Sequence, residues 1–265
     1  MTNFLIQAKS ILRSKLRPRV HLGLKSLLKP SHFDEVDLVY KVLSEEIQSK
    51  VMIDVGAHYG ESLHYFINDH WRVHAFEPDA KNRAVLLALA SQNDLLTVNP
   101  EGCSDKIAQD VPFFNSEKST GISSLSAFSA SHELSDTIST TTLAQYINNN
   151  QLPSVGFLKI DTEGHDLFVL KGFPWSLIQP EVIVAEFEDS KSASLGYDYK
   201  QMGDYLLSHG YTVLLSEWYP IIEYGRQHRW RGLYSYPSNL VDSFGWGNFI
   251  ATKDPKHAER LLARV

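Results

Sequence analysis

Five ionisable side chains fall within the eight residues from Lys159 to Asp166, directly after the apolar run Val155 to Leu158. Carboxylates and an imidazole at the end of a buried strand can take a proton from a hydroxyl, and a positioned general base is worth about 10²–10⁴-fold in rate. Side chains alternate along a strand, so Lys159, Asp161 and Glu163 share a side if the chain stays extended that far. Asp161 is the first choice for contact with a cofactor or an acceptor; its other reading is the N-cap of the next helix. Glu163 and His165 are the candidate bases, although His165 also reads as a helix-start residue with no chemistry. Glu186 and Glu188, at the end of the following apolar stretch, read equally as site or structural acids. Acids and histidines together can hold a divalent metal, but no spacing here is diagnostic and no metal is expected.

A second set of residues lies in "MIDVGAHYG", Met52 to Gly60. Gly56 and Gly60 after an apolar strand suggest backbone that approaches a ligand closely. A dinucleotide fingerprint needs a middle glycine at the pyrophosphate; here the loop is Gly56, Ala57, His58, Tyr59, Gly60, and His58 would crowd that group. No Gly-Lys-Ser/Thr follows, so a Walker loop is excluded. Glu77 ends the next strand about twenty residues on, where a carboxylate can accept the hydrogens of ribose hydroxyls. Asp54 sits inside the apolar strand, and a buried carboxylate is costly without donors; loop amides or a cationic ligand group are its expected partners. A ribose, an ammonium and a sulfonium without phosphate describe S-adenosylmethionine, which is the cofactor expected. Ser104 and Asp105, ending the third strand, are placed to bond its adenine amino group.

These groups need a scaffold, and the chain alternates strands and helices from residue 35 onward. Helical spacing over "EVDLVYKVLSEEI" precedes the strand "KVMIDVG". A helix opens after the glycines, and "WRVHAFEP" is a second strand. Asp79 is the expected N-cap of the helix "DAKNRAVLLALASQ", and "LLTVNPEGCSD" contains the third strand. After "TTLAQYINNN", a helix, come the strand ending at Asp161, a helix over "HDLFVLKGF" and the strand "EVIVAEFED". "YKQMGDYLLSHG" is a helix with Gly210 as C-cap, and "YTVLLSEW" and "WGNFIATK" are the last strands. The pattern predicts an α/β, doubly wound, mostly parallel sheet, whose ligand lies outside the carboxyl ends of the strands. Residues 115–140, rich in Ser and Thr without clear period, read as a lid or binding loop. The excursion between the last strands, with Trp218, Tyr219, Tyr224, Arg226, His228 and Arg229 followed by Trp230 and Arg231, reads as acceptor pocket or surface hairpin. Its arginines suit phosphate or carboxylate.

Blocks in this order resemble the FkbM-type methyltransferases: "IDVGAHYG", "AFEP", "TTLAQYI", "FLKIDTEGHDLFVLKG" and "VIVAEF", covering roughly residues 50–190. The resemblance implies a class I, Rossmann-like seven-strand sheet with an antiparallel last strand. It also implies transfer of a methyl group from S-adenosylmethionine to oxygen, often on a sugar of a glycan or glycosylated metabolite. By position, Asp54, Gly56, Gly60 and Glu77 match the family's cofactor motif, and Asp161, Glu163 and Gly164 match its second signature. The family usually has Asn where His58 stands, and often Asp-Asp where Ala144 and Gln145 stand. The cofactor set is then Asp54, Gly56, Ala57, His58, Gly60, Glu77, Ser104 and Asp105. Rival readings are a NAD-dependent oxidoreductase, opposed by His58, and a binding-only homologue that has lost turnover.

Composition limits the partners. The 265 residues are 43% hydrophobic and 21% charged, with formal charge −6, enough for a full core and no general invitation to nucleic acid. One cysteine, Cys103, fits a reducing, cytoplasmic compartment. No run reaches the roughly 20 apolar residues of a membrane span. Residues 1–34 are distinct: Lys9, Arg13, Lys15, Arg17, Arg19, Lys25 and Lys29 precede the first acid, Asp34, amid regularly placed leucines. Such a segment can lie on the inner face of an anionic membrane, serve as a transit peptide, or simply cap the methyltransferase domain expected over residues 35–265.

Overall fold

The computed structural model describes residues 33–116, 125, 132–222 and 227–265. Residues 1–32, most of the serine-rich segment, and Tyr224 and Arg226 lie outside these. In chain order the elements are α1 (Glu35–Leu43), β1 (Val51–Val55), α2 (His64–Asn68), β2 (Arg72–Phe76), α3 (Ala80–Ala90), β3 (Leu96–Asn99), β4 (Gly102–Cys103), β5 (Ala108–Ser116) and β6 (His132–Thr141). Then come α4 (Leu143–Asn149), β7 (Phe157–Ile160), α5 (Asp166–Lys171), β8 (Val182–Phe187), α6 (Asp189–Ser192), α7 (Tyr199–Ser208), β9 (Thr212–Trp218), β10 (Trp230–Ser235), β11 (Trp246–Thr252) and α8 (Pro255–Leu262).

One sheet organises them, in the order β10-β9-β11-β8-β7-β1-β2-β3. β1 pairs in parallel with both β2 and β7, and β7 in parallel with β8, whereas β11 runs antiparallel to β8 and β9. The antiparallel closing strand is therefore as predicted. The expected count of seven is corrected to eight, because β10, drawn from the aromatic excursion, adds to the edge beside β9. β1 is buried along its whole length, as a central strand covered on both faces must be. Its alternate residues feed two cores: Val51, Ile53 and Val55 pack with Leu158 and Ile183, while Met52 packs with Phe157 and Val184 on the opposite face. Asp54 and Lys159 share that second face, since they are register partners across β1 and β7.

Local signals account for the boundaries. Asp79 caps α3 by accepting from the amides of Lys81 and Asn82 at 2.8 and 2.9 Å. α7 ends one residue earlier than expected, with His209 as cap and Gly210 following at φ +81°. α2 starts only at His64, after a turn in which the Leu63 amide donates to the Gly60 carbonyl. The third strand is split by Pro100, which offers no N–H: β3 stays in the main sheet, and β4 joins a small sheet with β6 and β5. Residues 108–116 and 132–141 form an antiparallel ribbon rather than a structureless loop. Phe113 is the one buried apolar side chain on it among the described residues, so no alternation marks it in the sequence.

Candidate active site

The carboxyl edge of the sheet carries a cleft of about 230 Å³. It runs between Gly56 and His58 of the β1 loop, Phe76 and Glu77 ending β2, and Asp161 and Glu163 in the turn after β7. Gly102 and Cys103 of β4 form its far side.

The loop after β1 is shaped by its neighbours. Gly56 has φ +80°, and a Cβ there would stand 1.8 Å from the Asp161 carbonyl oxygen. Its smallness thus serves an approach between two segments of the protein, where the sequence suggested an approach to a ligand. His58 also adopts a left-handed backbone, φ 48°, which costs a residue with a side chain of order 1–3 kcal/mol. The Glu77 carboxylate stabilises that turn, accepting from the His58 amide at 2.8 Å with one oxygen and from the Asp79 amide at 2.8 Å with the other. Burial nevertheless raises the Glu77 pKa to about 7, against the lowering effect of those amides.

Behind the loop, Asp54 is fully buried. Its partners are the Ser62 hydroxyl and the Lys159 ammonium, 3.3 Å away, rather than loop amides or a ligand group. Lys159 also lies 3.4 Å from Asp161, so one ammonium joins the strand acid to the acid of the site. Burial would lower the lysine pKa; Asp54 and Asp161 more than reverse this and hold it charged.

β7 ends at Ile160, so alternation does not carry the chain to Glu163. A tight turn takes over, with Glu163 at φ 57° and Gly164 at φ 93°. Asp166 holds it by accepting from the amides of Thr162 and Gly164 at 2.9 and 3.1 Å. The turn brings ligand-capable oxygens of Asp161, Glu163 and Glu186 within 4.8 Å of one another. Lys191 sits among them, its ammonium 2.5 Å from Glu163, 3.3 Å from Glu186 and 2.7 Å from Glu188. Burial raises Glu163 to about 7 even though Lys191 pulls it down.

The model of the methyltransferase FkbM domain matches residues 54–213, more than half of the chain. The chain belongs to the FkbM methyltransferase family. It is accordingly an S-adenosylmethionine-dependent methyltransferase with the class I α/β sheet, and the oxidoreductase reading falls away. No curated protein matches the chain. Among solved structures, an O-methyltransferase from Bacillus cereus in complex with S-adenosylhomocysteine is 12% identical, with 89% of this chain and 90% of that one covered and a TM-score of 0.44. TrmK from M. capricolum, also with S-adenosylhomocysteine, is 10% identical over 84% and 69% with a TM-score of 0.45. Precorrin-6y C5,15-methyltransferase from Geobacter metallireducens is 14% identical over 82% and 87% with a TM-score of 0.40. The family assignment rests on the domain match alone.

The cleft of this FkbM methyltransferase suits a cationic ligand without phosphate. Glu77, Glu101, Asp161 and Glu163 line it, and no lysine or arginine does so among the described residues. Burial lowers the pKa of His58, keeping the ring uncharged near neutrality. Of the residues singled out in the sequence, Gly56, His58, Glu77, Asp161 and Glu163 come together here. Gly60 closes the turn through its amide to the Ala57 carbonyl, and Ala57 lines a neighbouring cavity. Asp161 is not a helix cap, because α5 starts from His165. His165 stands apart from both cavities: its Nε2 is 3.0 Å from the Ser104 hydroxyl, which donates in turn to Asp105. Burial lowers His165 to about 4, leaving a neutral ring. Ser104 and Asp105 likewise flank the cleft without lining it.

Two residues escaped the sequence reading. Lys191 follows β8 in a polar stretch with no period to mark it. Glu35 reads as an ordinary acid opening a helix after Asp34, yet it is buried against β9. Arg231 belongs to the excursion but is committed elsewhere, 3.3 Å from Glu217 and stacked on Tyr219. Among the described residues no helix is long and apolar enough to cross a membrane.

Proposed function

We propose that the enzyme methylates a hydroxyl of a sugar, within a glycan or glycosylated metabolite, with Glu163 as general base. The observation that carries this reading is the turn after β7, which sets the Glu163 carboxylate at the cleft with a pKa near 7. A base poised near the working pH combines availability with proton-transfer drive. S-adenosylmethionine supplies an electrophilic methyl group, whose bond to sulfur breaks as the acceptor oxygen bonds to carbon. The protein aligns the acceptor, and such positioning accounts for about 7–11 kcal/mol of barrier in favourable cases. Glu163 takes the hydroxyl proton, and Asp161, tied to Lys159, orients the acceptor. Glu77 is the ribose ligand in this reading, since its carboxylate is already fixed by two amides and borders the cleft.

The test is formation of S-adenosylhomocysteine from S-adenosylmethionine with a panel of glycoside acceptors. Turnover with at least one glycoside, reduced about 10²-fold or more by Glu163→Gln, supports the assignment. Turnover confined to amine or carbon acceptors removes it.

A further inference from the structure

Two cross-strand rows meet on one face of the sheet beside the cleft. Ser216, Asn248 and Glu186 are register partners across β9, β11 and β8, and residues directly opposite one another share a face. Two residues along, Trp218 is opposite Trp246 on that same face, their rings 5.5 Å apart at 29°. α1 crosses above. The Glu35 carboxylate accepts at one oxygen from the Ser216 hydroxyl at 2.6 Å and from the Trp218 indole N–H at 2.7 Å. Trp230 donates to the Ser216 hydroxyl at 2.9 Å, and Phe33 stacks on Trp230 at 3.7 Å. The helix start is thereby locked to the edge strands.

These groups enclose a cavity of about 290 Å³ that shares Gly56, His58 and Asp161 with the cofactor cleft. Asp34, Glu35, Glu61, Asp161 and Glu186 line it, against Lys159 as the single lysine or arginine among the described lining residues. That ammonium is held by Asp54 and Asp161. Ionised or protonated, the acids offer hydrogen bonds and no positive charge. An anionic acceptor would meet repulsion and find no arginine among the described lining residues; Arg229 and Arg231 lie over the Tyr219 ring. The partly exposed Trp246 indole, bordered by acceptors, suits a ring with apolar C–H faces and equatorial hydroxyls.

We propose that this cavity is the acceptor subsite and takes an uncharged sugar ring, packed on the partly exposed Trp246, which the buried Trp218 backs, and hydrogen-bonded by Glu35, Glu186 and Asn248. The inference rests on the methyltransferase acting on a sugar hydroxyl. Apart from Glu186, it locates the acceptor contacts in α1 and β11, outside the residues 54–213 matched by the family model.

The test uses the full chain saturated with S-adenosylhomocysteine, that saturation being confirmed by calorimetry. Methyl glycosides of hexoses and 6-deoxyhexoses, with hexose 6-phosphates alongside, are followed by saturation-transfer NMR. At least one uncharged glycoside should receive saturation and the phosphates none. Glu35→Gln keeps an acceptor for Ser216 and Trp218 but turns the other oxygen into a donor. It and Trp246→Leu should each weaken glycoside binding about tenfold, with S-adenosylhomocysteine affinity unchanged. Preference for the phosphates, indifference to both substitutions, or no glycoside binding to the loaded protein would each overturn the proposal. Failure of S-adenosylhomocysteine itself to bind would instead remove the function on which it rests.

Discussion

The Lys191 ammonium lies 2.5 Å from the Glu163 carboxylate, on a side chain only 2% exposed. It also touches Glu186 and Glu188, so three acids share one cation. Removing it leaves them facing each other in a poorly solvated site. Lys191→Met is expected to destabilise the fold by about 3–5 kcal/mol and to push Glu163 further up. A base must be ionised, so the rising limb of the pH–rate profile should move to higher pH. Lys191→Arg should leave the limb near its original place. Urea unfolding and rate profiles from pH 5 to about 9 measure both effects; an unmoved limb in Lys191→Met would separate Lys191 from the base.

Glu77 gives a second pH prediction. Its folded pKa of about 7 lies above the ordinary 4.5. The folded state therefore holds a proton that the unfolded chain has released, and stability contributed here falls as pH rises from 4.5 to 7. Ribose hydroxyls donate best to the ionised form. S-adenosylhomocysteine affinity should rise through about pH 7 in the parent protein and be flat, and about tenfold or more weaker, in Glu77→Ala. Calorimetric titration at pH 6 and 8 decides it.

His165 should matter for stability and leave the rate profile alone. Its folded pKa of about 4 is below the ordinary 6.5, so the unfolded chain takes up a proton first and stability is lost as pH falls from 6.5 to 4. His165→Gln should flatten that loss in acid unfolding curves without shifting the pH–rate limb. A shifted limb would restore His165 as base.

Gly56→Ala combines a left-handed backbone, costing about 1–2 kcal/mol, with a Cβ placed 1.8 Å from the Asp161 carbonyl oxygen. The variant should unfold at clearly lower urea and bind S-adenosylhomocysteine poorly, whereas Ala57→Gly should do neither.

Residues 1–34 carry seven basic side chains before the first acid. The full chain should float with vesicles containing phosphatidylserine at low salt, and stop doing so when residues 1–32 are deleted. Flotation that is indifferent to the deletion would remove the membrane expectation.

The sheet was legible because central strands leave a strong mark: Val51–Val55 and Val182–Phe187 are apolar in sequence but for one acid each, Asp54 and Glu186, and are buried throughout in space. The closing antiparallel strand came with the family resemblance. β10 was obscured, since its aromatics and arginines look like a binding loop until its pairing with β9 is seen. At the site, Asp54, Glu77, Asp161 and Glu163 stood out as acids where strands end. His165 was overread because closeness in sequence to Glu163 says nothing about direction once the turn at Gly164 intervenes. Lys191 and Glu35 were beyond reach, because their roles depend on contacts with β8 and β9 that no local pattern encodes.

The contact between Gly56 and residue 161 is with a main-chain carbonyl, so no side chain chosen at 161 can relax it. The two positions are therefore decoupled in what they tolerate. A side-chain replacement at position 161 leaves this contact as it is, whereas any side chain at position 56 meets the carbonyl oxygen.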